Sequence, residues 1–233
     1  AKAAGIDAVH QAPTLDRKLD HIMPQVSAMG AAVSVVDFDR DGHQDLYVTD
    51  SREGSKNHLY RNRGDGTFED VSEKAGIRIP GHRAMSATSF DYDLDGDPDI
   101  YVSNDATANL LLANDGKGRF KDVGLASGAA LNQFGSAGGS MGAVVGDYNG
   151  DGLPDMLVTR FETASLYINS RGGLFEDRIQ SSGVLDLTMK YTGWGGNNLD
   201  FDNDGDEDLF VVNGHAHFLQ PMPCLLLENR GDG

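Results

Sequence analysis

Apolar residues in this chain fall in short runs that recur in a fixed order. Leu46–Thr49, Ile100–Ser103, Met156–Thr159 and Leu209–Val212 are rich in β-branched and aromatic residues. Each follows another short run across a polar nonapeptide: Ala31–Val36, Ala87–Phe90, Ala143–Val145 and, more loosely, Gly196–Leu199. Runs of this length are too short for helices and fit strands. Next in each unit comes Asn57–Asn62, Asn109–Asn114 or Ser165–Asn169, then a turn, then Phe68–Val71, Phe120–Val123 or Phe175–Asp177. The turns are rich in Gly and Asn, which tolerate the positive φ of tight hairpins. The units close on Ala75-Gly76-Ile77, Ala126-Ser127-Gly128 and Ser182-Gly183-Val184. One unit therefore holds about four short strands, and nothing has the length and period of a long helix. Such units in series predict an all-β fold, a β-propeller with four recognisable blades.

The predicted organisation is a lead-in over 1–30, blades over 31–77, 78–128 and 129–184, and an incomplete blade over 185–233. Ala4-Gly5-Ile6 repeats the closing Ala75-Gly76-Ile77, so the lead-in reads as the end of a preceding unit. The fourth unit reaches its turn at 229–233 without a Phe-x-Asp-Val run, and its outer strand is expected to be missing. The chain thus reads as a segment of a larger propeller, with a closed four-bladed ring as the alternative.

The polar nonapeptides carry the candidate chemistry. They are DFDRDGHQD (37–45), DYDLDGDPD (91–99), DYNGDGLPD (147–155) and DFDNDGDED (200–208), starting 54, 56 and 53 residues apart. Hard oxygens at alternate positions, with glycine at position six to turn the loop, suit Ca²⁺. The predicted ligands are Asp37, Asp39, Asp41 and Asp45, with the carbonyl of His43; then Asp91, Asp93, Asp95, Asp97 and Asp99. The third set is Asp147, Asn149, Asp151, Leu153 (carbonyl) and Asp155, and the fourth is Asp200, Asp202, Asp204, Asp206 and Asp208. About four ions are expected, one per repeat. An EF-hand is excluded, because it needs a bidentate Glu at position twelve and flanking helices, whereas strands flank these loops.

The runs Phe-Glu-Asp-Val-x-x-x-Ala-Gly-Ile, Asp-x-Asp-x-Asp-Gly-x-x-Asp-Leu-Tyr-Val and Leu-Tyr-Arg-Asn-x-Gly-Asp-Gly-Thr-Phe resemble the FG-GAP/VCBS repeats. With Gly193-Trp194-Gly195 and Asn213-Gly214-His215, the chain is more closely similar to the ASPIC/UnbV (cartilage acidic protein-like) group. The resemblance runs from about Ala4 to Gly233. It implies a calcium-binding propeller of the integrin α type, secreted or on the cell surface and used for adhesion or ligand binding. Asn149, in place of the second Asp of loop three, departs from the pattern and implies a weaker site there.

Charge and composition narrow the function. The formal net charge of −17 opposes binding to nucleic-acid phosphates. Of the 36 acidic residues, 18 lie in the four nonapeptides, so four divalent ions would roughly halve the net charge. Extracellular calcium modules work at about 10⁻⁴–10⁻³ M, which favours a secreted, cell-surface or periplasmic setting. No apolar run is long enough to span a membrane. The single Cys224 allows no intrachain disulfide and is expected to be a small buried hydrophobe. No nucleophile elbow, phosphate loop or His-Glu-x-x-His motif is present, so the chain reads as non-catalytic. His215 and His217 form a candidate transition-metal pair, while His10 and His21 sit in a lead-in without interpretable pattern. Segments between blades supply the candidate ligand face, with Arg78, His82, Arg83, Lys190, Tyr191 and Trp194 offering cationic and aromatic contacts to a protein or glycan. The leading reading is an extracellular binding or adhesion module. The alternatives are a structural subunit of a larger surface assembly and an accessory domain of a polysaccharide-active enzyme.

Overall fold

The structure, a computed structural model, describes residues 1–10, 32–52, 54–161, 163–214 and 221–231. Within these, fifteen strands form four antiparallel sheets in chain order. The first contains β1 (Val33–Val36), β2 (Asp45–Val48), β3 (His58–Asn62) and β4 (Phe68–Asp70). The second contains β5 (Ala84–Phe90), β6 (Asp99–Asn104), β7 (Leu110–Asn114) and β8 (Phe120–Asp122). The third contains β9 (Ser140–Gly146), β10 (Asp155–Arg160), β11 (Thr163–Ser170) and β12 (Leu174–Asp177). The fourth has three strands among the described residues: β13 (Thr192–Leu199), β14 (Asp208–Gly214) and β15 (Leu225–Leu227). Each sheet is a simple meander, and the first strands of successive sheets lie side by side, as in propeller blades.

The core lies between sheets. Phe38, Tyr47, Leu59, Ile100, Leu112 and Phe120 fill the first interface. Tyr92, Tyr101, Leu111, Met156, Tyr167 and Phe175 fill the second, and Val144, Tyr148, Leu157, Leu166, Leu209 and Val211 the third. Because neighbours cover both faces of the second and third sheets, β6 and β10 are buried at every position. This is why their sequences read as continuous apolar runs rather than as alternations.

Two devices tie each sheet to the next. Past the outer strand the chain makes a one-turn helix, at Ser72–Ala75 and Gly124–Ser127, that ends in a left-handed glycine. Gly76 lies so close to Phe120 that an added Cβ would come within 3.0 Å of its carbonyl oxygen, and Gly128 meets the Phe175 carbonyl more tightly still. Gly5 does the same to the carbonyl of Phe68, so the Ala4-Gly5-Ile6 segment docks on the first sheet in the manner of the later closing turns. The second device is aromatic. Phe38 packs against Phe120 at 6.1 Å between ring centroids, and Tyr92 against Phe175 at 6.4 Å. Hairpin glycine Gly118 (φ +74) lies under Phe38, where a Cβ would come within 2.8 Å of the ring. Gly118→Ala combines a left-handed backbone with a ring clash and is expected to destabilise the protein by about 2–4 kcal/mol, read by urea unfolding.

Cys224 is exposed rather than buried, because it lies in the stretch just before β15, outside any packed interface.

Candidate metal centres

Each nonapeptide connects the first and second strands of a sheet, and the same hydrogen bonds shape all four. The position-one carboxylate accepts from the backbone of positions five and six: Asp37 from Asp41 N (3.1 Å) and Gly42 N (2.9 Å). Asp91, Asp147 and Asp200 repeat this pair. The position-five carboxylates Asp41, Asp95, Asp151 and Asp204 accept from the backbone N–H of position seven: His43, Asp97, Leu153 and Asp206. Position four is left-handed in every loop (Arg40, Leu94, Gly150, Asn203), as is glycine at position six. Left-handed φ costs about 1–2 kcal/mol at a non-glycine residue such as Leu94, so the loop geometry is imposed by its network rather than chosen by each residue.

Position nine has a role the sequence did not reveal. Asp45, Asp99, Asp155 and Asp208 are essentially fully buried. In each, one oxygen accepts from the backbone N–H of position two and the other from the asparagine or equivalent at the end of the third strand. Asp99 takes Tyr92 N (3.1 Å) and Asn114 N (2.8 Å), while Asp45 takes Phe38 N and Asn62 N. Asp155 and Asp208 clamp Tyr148 with Asn169, and Phe201 with Asn229. The same asparagines reach the preceding sheet. Asn114 Nδ2 donates to the Phe38 carbonyl (2.8 Å), Asn169 Nδ2 to that of Tyr92 (2.8 Å) and Asn229 Nδ2 to that of Tyr148 (3.0 Å). The signal available in sequence was the constant pairing of Asp at position nine with Asn at the close of the third strand.

The electrostatics are those of crowded anions. Burial first, and neighbouring carboxylates after it, push Asp99 up to about 7 and Asp45 and Asp155 up to about 6, against the pull of their backbone donors. Burial and the adjacent Asp95 also raise Asp93. Oxygens of Asp37, Asp39 and Asp41 lie within 4.8 Å of one another, as do those of Asp91, Asp93 and Asp99, and of Asp200, Asp202 and Asp208. Asp39 Oδ1 is buried without a hydrogen-bond donor among the described residues. An all-oxygen, anionic donor set of this size fits a hard divalent cation. Loop three offers the Asn149 amide oxygen in place of a carboxylate, and Asn149 Nδ2 donates to Asp151 Oδ2 at 3.1 Å.

The loops are neither identical nor isolated. In loop one the Arg61 guanidinium lies 2.6 Å from Asp39 Oδ2 and 2.9 Å from Asp41 Oδ2. Arg40 reaches from loop one to loop two, 2.8 Å from Asp97 Oδ1 and donating to the Gly96 carbonyl at 3.1 Å. Asp97 is thereby held on a neighbouring cation. Glu207 of loop four accepts from Asp147 N of loop three at 2.8 Å.

Arg78 is engaged by Asp70 at 2.8 Å, and His82 Nδ1 lies 3.2 Å from the Ala108 carbonyl oxygen. Arg83 bears electrostatically on Asp105. Lys190 is exposed, Tyr191 caps the one-turn helix Val184–Thr188 through Thr188 O, and Trp194 sits in β13 against Gly214. His21, His215 and His217 lie outside the described residues.

Among the described residues, no helix is long and apolar enough to cross a membrane. Human cartilage acidic protein 1 is 26% identical over 204 residues, covering 83% of this chain and 29% of that protein; the mouse protein is 26% identical over 205 residues, covering 83% and 30%. The chain thus spans under a third of the length of these relatives. A solved Agrocybe aegerita lectin structure, described as recognising non-reducing terminal N-acetylglucosamine, overlays with a TM-score of 0.49 at 18% identity, covering 89% of this chain and 51% of that one. The FG-GAP-like repeat family matches at residues 37–102, 91–158 and 147–211, intervals that each run from one acidic loop through the next loop into the strand that follows it. With the repeated loop, sheet and closing turn described above, this chain belongs to the FG-GAP-like repeat family.

Proposed function

We propose that the four loops bind Ca²⁺, about one ion each, and that the blades they brace form a non-catalytic, extracellular ligand-binding or adhesion module. The observation that carries this reading is the four-fold return of one hydrogen-bonded cradle, which orients carboxylates at positions one and five of every loop while position nine anchors it. Magnesium suits the cradle less well, since it prefers few protein ligands and keeps its water. Calorimetric titration tests the ion: calcium is expected to saturate at about four sites, with magnesium competing weakly. Equal affinity for the two ions would overturn the assignment. For the module, retention on immobilised extracellular proteins or glycans should disappear on chelation. Turnover of a polysaccharide by this chain alone would remove the non-catalytic reading.

The sites are not expected to be equal. Arg61 lies on two carboxylates of loop one and must release them to an ion. This guanidinium is half exposed, so the contact is worth at most about 1 kcal/mol. Arg61→Ala should therefore tighten calcium binding at loop one by up to about five-fold while leaving loop four unchanged, as site-resolved NMR titration would show.

A further inference from the structure

The second and third sheets are covered on both faces, and the end of their interface opposite the acidic loops breaks the repeat. In the first two sheets an asparagine at or just before the third strand ties that end together. Asn57 accepts from Asp50 N and donates to the Tyr47 hydroxyl, and Asn109 does the same with Asn104 N and the Tyr101 hydroxyl. The third sheet has Arg160, Leu157 and Ala164 at the equivalent places, so neither bond can form.

Arg160 instead turns its side chain into the second interface. A bulge at Met141 sets it opposite Ser140. Only 2% of Arg160 is exposed. Its Nη2 donates to the Tyr167 hydroxyl at 3.2 Å and its Nε is buried with no acceptor; among the described residues it forms no ion pair. The hydroxyls of Ser103 and Ser140 are also buried without a partner among the described residues. Ser103 lies two positions beyond Tyr101 on β6 and shares its face, toward the third sheet. The bridge between Asp105 and Gly139 brings Ser103 and Ser140 to one corner. Gly138 roofs it, since a Cβ there would come within 3.0 Å of Arg160 Nη1. A guanidinium taken out of water onto a single neutral hydroxyl is costly without an opposite charge. Water would satisfy the two serines and leave that cost in place.

We propose that this corner of the second interface binds a small monovalent anion of the halide class, chloride under ordinary conditions. Arg160 supplies the charge and its Nε–H, and the hydroxyls of Ser103 and Ser140 donate to the anion. The site closes the one end of the second and third sheets that lacks the asparagine tie.

Melting in chloride and in gluconate, an anion too bulky to enter, tests this at equal ionic strength with calcium in excess. Chloride at ten times its dissociation constant should raise the midpoint by about 3–6 °C. Bromide should do the same and give an anomalous peak beside Arg160 Nε in crystals. Arg160→Met should abolish the shift and melt no lower than the parent protein in gluconate, because it removes an unpaired buried charge. Should that variant fail to fold, Ser140→Ala should raise the chloride concentration at half-effect by about ten-fold. Equal midpoints in the two anions, a shift that survives Arg160→Met, or bromide crystals with only water beside Nε would overturn the proposal. So would a shift that appears only in Glu162→Gln, since the carboxylate two residues along the chain would then be the counter-ion. Arg160 stands five residues from Asp155, about 17 Å along β10. The same chloride shifts should therefore appear in chelator, which keeps failure of this site distinct from failure of the metal assignment.

Discussion

Stripping calcium from this protein should lower its melting temperature by roughly 10–20 °C. An ion that binds only the folded state at ten times its dissociation constant stabilises by about 1.4 kcal/mol, and four such sites sum to about 6 kcal/mol. In a domain of this size each kcal/mol moves the midpoint by about 2–4 °C. The physical origin is the crowding of carboxylates at each strand corner, which the ion relieves and which chelation restores. Calcium-free protein should also show an inverted pH dependence. Asp99, Asp45 and Asp155 have folded values raised to about 7, 6 and 6 from an ordinary 3.8. The folded state then holds more protons than the unfolded state between those limits. This contribution is full in acid and is lost as pH rises through about 6–7. Scanning calorimetry in chelator should thus give a higher midpoint at pH 5 than at pH 8, and in excess calcium this trend should flatten. A melt insensitive to chelation would remove calcium from the account of stability.

Replacing the position-nine aspartate should cost more than replacing any exposed loop carboxylate. Asp99→Ala leaves Tyr92 N and Asn114 N buried without acceptors, and an unsatisfied buried donor costs about 1–3 kcal/mol. Asn114 also latches the second sheet to the first through Phe38 O, so the loss spreads across an interface. A destabilisation of about 3–5 kcal/mol is expected in urea unfolding, with or without calcium. Asp95→Ala removes an exposed carboxylate whose one backbone bond runs to Asp97 N. It should cost under about 1 kcal/mol in chelator yet remove most calcium affinity from loop two. Equal effects of the two substitutions would show that position nine is no more than another ligand.

The strands were legible because sheets packed on both faces demand unbroken apolar runs, as in Ile100–Ser103 and Met156–Thr159, and because turns rich in Asn and Gly mark the hairpins. The loops were legible because hard oxygens at alternate positions, turned by a glycine at position six, suit a hard divalent cation far better than an ordinary turn. What lay hidden was three-dimensional pairing. Nothing in DFDRDGHQD says that Asp45 is a fully buried clamp while Asp37 is a half-buried cradle, since both are aspartates at the end of a motif. Arg61, 16 positions beyond the loop it enters, belongs to a strand whose register brings it onto Asp39 and Asp41. The ligand-face residues follow from their place in the segments between blades and from their chemistry; the partners they take, such as Asp70 for Arg78, come from the fold. Cys224 was read as buried from residue type, whereas burial here follows from sheet interfaces that its segment does not join.

Anomalous diffraction from crystals grown in millimolar calcium would test the metal assignment most directly. A peak is expected in each of the four loops, about 2.3–2.6 Å from the position-one, -three and -five side-chain oxygens, weakest in loop three where Asn149 stands. Loops that keep their cradle hydrogen bonds with no peak, or peaks found only elsewhere in the lattice, would contradict it.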